Sequence, residues 1–251
     1  IVFTHLLTVA PPRFDVTTRR RLVIGIALLG LLTLSGPPSV LAAQFESKLV
    51  PSDPALSKSF GLPVATDGTT AAAGATFDGG AGTRAGAVYV FVRTHDGWVQ
   101  EAKLIGSDTA AEDQFGFSVA LSRDLLVVGV PLHDAGATNT GAVYVFQRED
   151  SIWVEQAKLI ADDAVVNTGL GSSVAIHGST IAVGASRSEA VYVFQEAESG
   201  WVQTTKLTAS DVTPGDRFGT SVSVSGNTLM VGAPEHNVQA GAVYVFRRRG
   251  Q

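Results

Sequence analysis

The sequence predicts an all-β protein, a β-propeller of four-stranded antiparallel blades, and three observations carry that prediction. The hexamer GAVYVF occupies 86–91, 141–146 and 241–246, and EAVYVF occupies 189–194. An element announced by tryptophan recurs as GWVQEAKL (97–104), IWVEQAKL (152–159) and GWVQTTKL (200–207). No helical period appears after residue 43, and 27 glycines with only 16% charged residues suit many short strands joined by tight turns. Spacings of 55, 55 and 48 residues between FG-type pairs mark a repeat architecture.

The hexamer is a strand because β-branched and aromatic residues alternate in it. Ala142, Tyr144 and Phe146 point one way while Val143 and Val145 point the other. Both faces are apolar, so the strand is covered on both sides, as a sheet stacked between copies of itself requires.

At 251 residues and 45% hydrophobic content, the chain can bury one large core or a string of small ones. The formal charge is −5, but residues 1–43 hold four Arg and one Asp, leaving 14 basic and 22 acidic groups, or −8. So acidic a body argues against nucleic acid and anionic membrane surfaces as partners. Arg247, Arg248 and Arg249 read as a solvated tail. The absence of cysteine excludes disulfides and thiolate metal sites, though not export.

Arg19, Arg20 and Arg21 precede the apolar run 22–34, followed by Ser35, Gly36, Pro37, Pro38 and VLAAQ. That is the pattern of a secretory signal, with cleavage after Ala42 or Ala43. An uncleaved anchor is disfavoured, because a spanning helix needs ~20 apolar residues. The expectation is an N-terminal extension and signal-peptide helix within 1–43, and an exported domain over 44–251. Its place would be the periplasm, the cell surface or the extracellular space, with membrane contact only through the export signal.

Each unit opens with Phe60-Gly61, Phe115-Gly116, Leu170-Gly171 or Phe218-Gly219. A short strand follows, such as 117–121 or 220–224, and then a polar turn such as Ser225-Gly226-Asn227 that suits a hairpin needing positive φ. The second strands lie at 69–76, 125–131, 180–186 and 228–234. Gly74, Gly129, Gly184 and Gly232 recur in them, where a side chain would meet a neighbouring backbone. Variable loops lead to the AVYVF strand, and the tryptophan strand and an acidic connector complete the unit. The predicted blades span about 60–105, 115–160, 170–208 and 218–246. FESKL (45–49) matches a fourth strand yet precedes the first FG pair, while the last unit lacks one. Residues 44–50 are therefore expected to pair beside 241–246 and close a four-bladed ring. An open arc of a larger, seven-bladed propeller is the alternative.

On these motifs the units resemble FG-GAP repeats, the blade type of the integrin α-subunit head that is also found in many exported bacterial proteins. GAP stands intact at Gly232-Ala233-Pro234 and is altered to GVP, GAS and GAT at 129–131, 184–186 and 74–76. The resemblance implies calcium as a cofactor, held in an Asp-rich DxDxDG loop between the first two strands. The turns at Ser122-Arg123-Asp124, His177-Gly178-Ser179, Ser225-Gly226-Asn227 and Thr66-Asp67-Gly68 lack that motif and the roughly six to eight oxygens calcium takes. No cofactor is therefore expected.

Asp108, Asp113, Asp211 and Asp216 share one repeat register and are weak metal candidates, read more simply as turn and capping residues. Trp98, Trp153 and Trp201 could form a sugar-binding row, but large aromatics at repeated positions are better read as blade-to-blade packing. His133 and His236 match in register and read as surface-loop residues rather than a metal pair. No nucleophile and base stand in a recognisable arrangement, and a catalytic group should break the repeat rather than follow it.

The expected function is a non-enzymatic, exported binding, adhesion or envelope-scaffold module. Its protein or glycan ligand would meet variable loops such as 76–84 and 131–140. The alternatives are a polysaccharide lyase or hydrolase, recognised by non-repeated carboxylates with His or Arg at the channel mouth, and a calcium-dependent adhesion module.

Overall fold

The computed structural model describes residues 46–248. Its strands form four antiparallel sheets. The first holds β1 (Phe60–Thr66), β2 (Thr70–Ala75), β3 (Ala87–Thr94) and β4 (Gly97–Leu104), paired in that order. The second holds β5 (Ser118–Ser122), β6 (Leu125–Val130), β7 (Ala142–Glu149) and β8 (Ile152–Leu159). The third holds β9 (Ser173–His177), β10 (Thr180–Ala185), β11 (Ala190–Ala197) and β12 (Gly200–Leu207). The last has three strands, β13 (Ser221–Ser225), β14 (Thr228–Ala233) and β15 (Ala242–Arg247). The first strands of successive sheets lie side by side, β1 by β5, β5 by β9 and β9 by β13, which is the radial order of propeller blades. The predicted signal peptide, residues 1–43, lies outside the described residues, as do Gln44, Phe45 and Arg249. Among the described residues no helix is long and apolar enough to cross a membrane.

The alternation of the repeated hexamer sets the core. Ala142, Tyr144 and Phe146 pack against Ala72, Val88, Val90 and Leu104 of the preceding blade. Val143 and Val145 pack against Leu170, Ile181, Val183 and Tyr192 of the following one. Each of the two middle sheets is thus the filling between two others, and the apolar area buried in the three seams is the main stabilising term. Trp153 is buried in the seam between the first two blades, while Trp98 and Trp201 are half-buried at the same register. The tryptophans are packing residues and present no row to solvent. A bulge recurs where the third strand meets the fourth, between Val90 and Phe91, Val145 and Phe146, and Val193 and Phe194. It turns Glu101 toward the next blade, where it pairs with Arg148 and accepts the Trp153 indole N–H at 2.9 Å.

The second-strand glycines do what their recurrence suggested. A Cβ at Gly74, Gly129 or Gly184 would lie 2.2, 2.2 or 2.0 Å from the carbonyl oxygen of Gly116, Gly171 or Gly219 in the next blade. At Gly232 the close contact of a Cβ would be with Ser221 Oγ alone, at 2.3 Å, because among the described residues no blade lies on that face.

The expected ring closure is not formed among the described residues. Residues 46–50 form no strand, β15 has no fourth-strand neighbour among the described residues, and β1 and β13 are not side by side. Leu49 instead packs with Tyr89, Phe91, Phe60 and Trp98 of the first blade. The reason lies in the repeat itself. Leu104, Leu159 and Leu207 end the fourth strands and pack on the blade that follows them. Leu49 stands 11 residues before Phe60, as each of those leucines stands 11 before its own FG-type pair, and it is seated the same way. The arc keeps that leading blade away from the last one.

Candidate binding face

Two sets of loops converge at one end of every blade: the connector leading into the first strand and the loop between the second and third strands. Here the structure gathers the acidic residues singled out from the sequence. The connector aspartates Asp53, Asp163 and Asp211 lie 2.6, 2.9 and 3.0 Å from the hydroxyls of Tyr89, Tyr192 and Tyr244, and Asp108 accepts from Tyr144. A fourth-strand lysine completes three of these groups, Lys103 on Asp53 at 2.8 Å, Lys158 on Asp108 at 2.6 Å and Lys206 on Asp163 at 2.6 Å. The tyrosine and lysine face each other across the third and fourth strands, so register alone brings them together. Burial and then the neighbouring aspartates push the tyrosine hydroxyls up, so they stay protonated donors. Hydrogen bonds from Lys103 and Tyr89 hold Asp53 well below the usual carboxylate range.

A second pair sits deeper. Asp113 caps its own turn by accepting the Ala110 N–H at 2.8 Å and contacts His133 Nδ1 at 2.9 Å. Asp216 repeats this with the Thr213 N–H at 2.7 Å and His236 Nδ1 at 2.9 Å. At the same register the first blade uses reversed charges, Lys58 on Asp78 at 2.8 Å, and the third uses Ser188 Oγ donating to the Thr168 carbonyl at 3.3 Å. His133 is therefore buried, not a surface-loop residue, and His236 is half-buried: each clamps a connector to the loop of its own blade. The weak metal candidates Asp108, Asp113, Asp211 and Asp216 divide between the two kinds of pair, and Lys158 Nζ lies 2.7 Å from His133 Nε2, between Asp108 and the ring. No group of three or more His, Cys, Asp or Glu side chains among the described residues is arranged to hold a metal ion. At the opposite end, Asp67 Oδ1 accepts the Thr69 and Thr70 N–H groups and so closes its own hairpin.

Glu189, the residue that breaks GAVYVF, has a specific role. Gly86 and Gly141 bridge directly to Phe115 and Leu170, and a Cβ there would lie 2.2 Å from the carbonyl oxygen opposite. In the third blade Glu189, at φ 52°, sends its carboxylate to the Gly215, Arg217 and Phe218 N–H groups at 2.9, 3.0 and 2.5 Å. A side chain replaces the backbone bridge and fixes the connector carrying Arg217.

That connector borders a cleft of about 370 Å³ on the same face, lined by Gln114, Phe117, Leu132, Arg187 and Arg217 among others. Both arginines are exposed, and among the described residues neither has a carboxylate partner, whereas Arg84 and Arg148 are engaged by Glu112 and Glu101. The cleft belongs to the size range of ligand sites. A cleft of about 410 Å³ opens at the hairpin end, but Ala182, Val193, Leu207, Leu229 and Phe246 line it. They are the packing residues of the third and fourth blades, which makes it a widening of that seam. Sequence reasoning missed Arg187 and Arg217. The available signal was their departure from the repeat, since Leu132 and Gln114 hold the same register in the second blade.

A family model described as FG-GAP repeat matches residues 44–91, 98–146, 153–194 and 201–246. Each matched unit thus begins with a fourth strand, or with residues 44–49 in its place, and ends with AVYVF. Comparison with curated proteins finds no match.

Proposed function

The chain belongs to the FG-GAP repeat family, and from that premise we propose an exported, non-enzymatic binding or scaffold module acting in the periplasm, at the cell surface or outside the cell. Its protein or glycan ligand docks on the connector face through acidic groups. The observation that carries this reading is the pair of unengaged arginines, Arg187 and Arg217, in one cleft of a body whose net charge is −8 over residues 44–251, from 14 basic and 22 acidic groups. A local positive site on an acidic surface directs a partner's carboxylates or sulfates to that spot, because the surrounding surface repels them elsewhere. Guanidinium forks suit such oxyanions geometrically, at about 1.5–3 kcal/mol for each hydrogen bond to a charged group. The surrounding loops differ in length and sequence between blades while the strands hold geometry, which suits specificity.

The test is titration calorimetry with polygalacturonate, poly-glutamate and a neutral glucan, on the parent and on Arg187→Ala/Arg217→Ala. Salt-sensitive binding of an acidic polymer that weakens at least ~tenfold in the double variant is expected. Binding of none of them, or binding indifferent to the two arginines, refutes the reading. Appearance of new chain ends in the bound polysaccharide would replace it with the enzymatic alternative.

A further inference from the structure

The last blade exposes what every other blade covers. Val88 and Val90 of the first blade, and Val127, Val143 and Val145 of the second, are 0% exposed because the next blade lies on them. Their counterparts in the last blade, Met230, Val243 and Val245, are 46%, 64% and 57% exposed. Ser118 and Ser173 donate their hydroxyls at 2.8 Å to the Gly171 and Gly219 carbonyls of the following blade, and Ser221 presents the same hydroxyl on the uncovered side. The first blade is bare in the complementary sense. Val64 is 70% exposed, whereas Val119, Val174 and Val222 at its register pack into the seams with the blades before them.

The charges fit as well. The last blade holds Tyr244 on Asp211 at 3.0 Å with His236 Nε2 3.8 Å from the same carboxylate, but among the described residues no fourth-strand lysine reaches it. Lys103-Leu104, Lys158-Leu159 and Lys206-Leu207 supply that lysine elsewhere, each lysine standing opposite the tyrosine and each leucine opposite the preceding valine. Lys48-Leu49 is the same dipeptide, carried ahead of the first blade with Leu49 already seated there as a preceding blade's leucine would be.

We propose that the uncovered face of the last blade docks a second copy of this chain, whose first blade covers Met230, Val243 and Val245 and whose segment 46–49 lies beside β15, placing Lys48 on Asp211. Two arcs joined this way at both ends make one ring of eight blades, the upper end of the usual range. Among the described residues the first and last blades do not meet within one chain, which favours the second copy over the chain's own segment 46–49 as the occupant. The contact is head-to-tail at each junction and closes by a two-fold axis.

The test is analytical ultracentrifugation of the full chain at tens of micromolar, with thermal melting of every variant. A species of twice the chain mass is expected. Val243→Glu/Val245→Glu should convert it to a single-mass species with an unchanged circular dichroism spectrum, since both side chains are exposed in the lone chain. Gly232→Ala, which puts a methyl where the partner's Gly61 carbonyl must approach, should do the same. Lys48→Asp and Asp211→Lys should each weaken association at least ~tenfold and together restore it. A single-mass species for the parent at this concentration overturns the proposal. So does a single-mass species whose melting falls with Lys48→Asp and recovers in the swapped pair, which would mean the chain clasps itself.

Discussion

The glycines of the second strands allow the blade stacking to be tested by one methyl group. At Gly129 a Cβ would lie 2.2 Å from the Gly171 carbonyl oxygen, whereas ordinary contact begins at 3.4 Å, so the two blades must part by about 1.2 Å. Parting them there breaks the 2.8 Å Ser118–Gly171 hydrogen bond and loosens the seam in which Val127, Val143 and Ile181 pack. Overpacking of this kind costs about 1–3 kcal/mol, and the lost hydrogen bond roughly 1 more. For a chain of this size a loss of about 3 kcal/mol lowers Tm by roughly 6–12 °C. Gly232→Ala meets only Ser221 Oγ, at 2.3 Å, which a χ1 rotation moves aside. Its cost is offset by the ~0.5–1 kcal/mol that alanine gains over glycine in a strand. Both variants are made in the Val243→Glu/Val245→Glu background, so association does not enter, and are followed by far-UV circular dichroism on heating. Gly129→Ala should melt well below its background and Gly232→Ala close to it. Equal melting of the two would refute the view that blade stacking is what forbids a side chain at this position.

Trp153→Ala empties a buried site, leaves Glu101 with one donor fewer, and should cost about 3–5 kcal/mol in urea unfolding. Glu189→Ala leaves three connector N–H groups without their acceptor and should lose about 2–3 kcal/mol, while Glu189→Gly, free to form the direct bridge of Gly86 and Gly141, should lose clearly less; equal losses would discount the carboxylate. Burial works to raise Asp78, but Lys58, the Gly80 N–H, Lys103 and Tyr89 together bring it down to about 2 from 3.8. Because the folded value is the lower one, this stability is fully present above pH 4 and lost as pH falls through about 2. Unfolding free energies measured from pH 5 to pH 2 should therefore fall less steeply in Asp78→Asn than in the parent, and parallel curves would discount the pair.

Much was legible in the sequence because it is local. Strand periodicity, the two-faced hexamer, hairpin turns and the repeat register each depend on residues within a few positions, and strands such as Gly97–Leu104 fall where they were read. Packing of Trp153 and the backbone approach at Gly74, Gly129 and Gly184 follow from the same register, because a position copied in every blade meets the same neighbour in each. The paired substitutions Asp113 with His133, Lys58 with Asp78 and Thr168 with Ser188 were also there to be aligned, although nothing in one unit says that they touch.

Other features required the folded arc. Arg187, in the loop between β10 and β11, and Arg217, in the connector between β12 and β13, share a cleft only because the fold brings that loop beside the next blade's connector. Register shows where each departs from the repeat without showing that the two meet. The fate of residues 46–50 is the sharpest case. Their likeness to a fourth strand was evident, but which sheet they serve depends on how far each blade turns from the last. That angle is set by side-chain packing summed over three seams. A repeat copied in one dimension specifies each junction between neighbours and leaves the meeting of its two ends to the accumulated geometry.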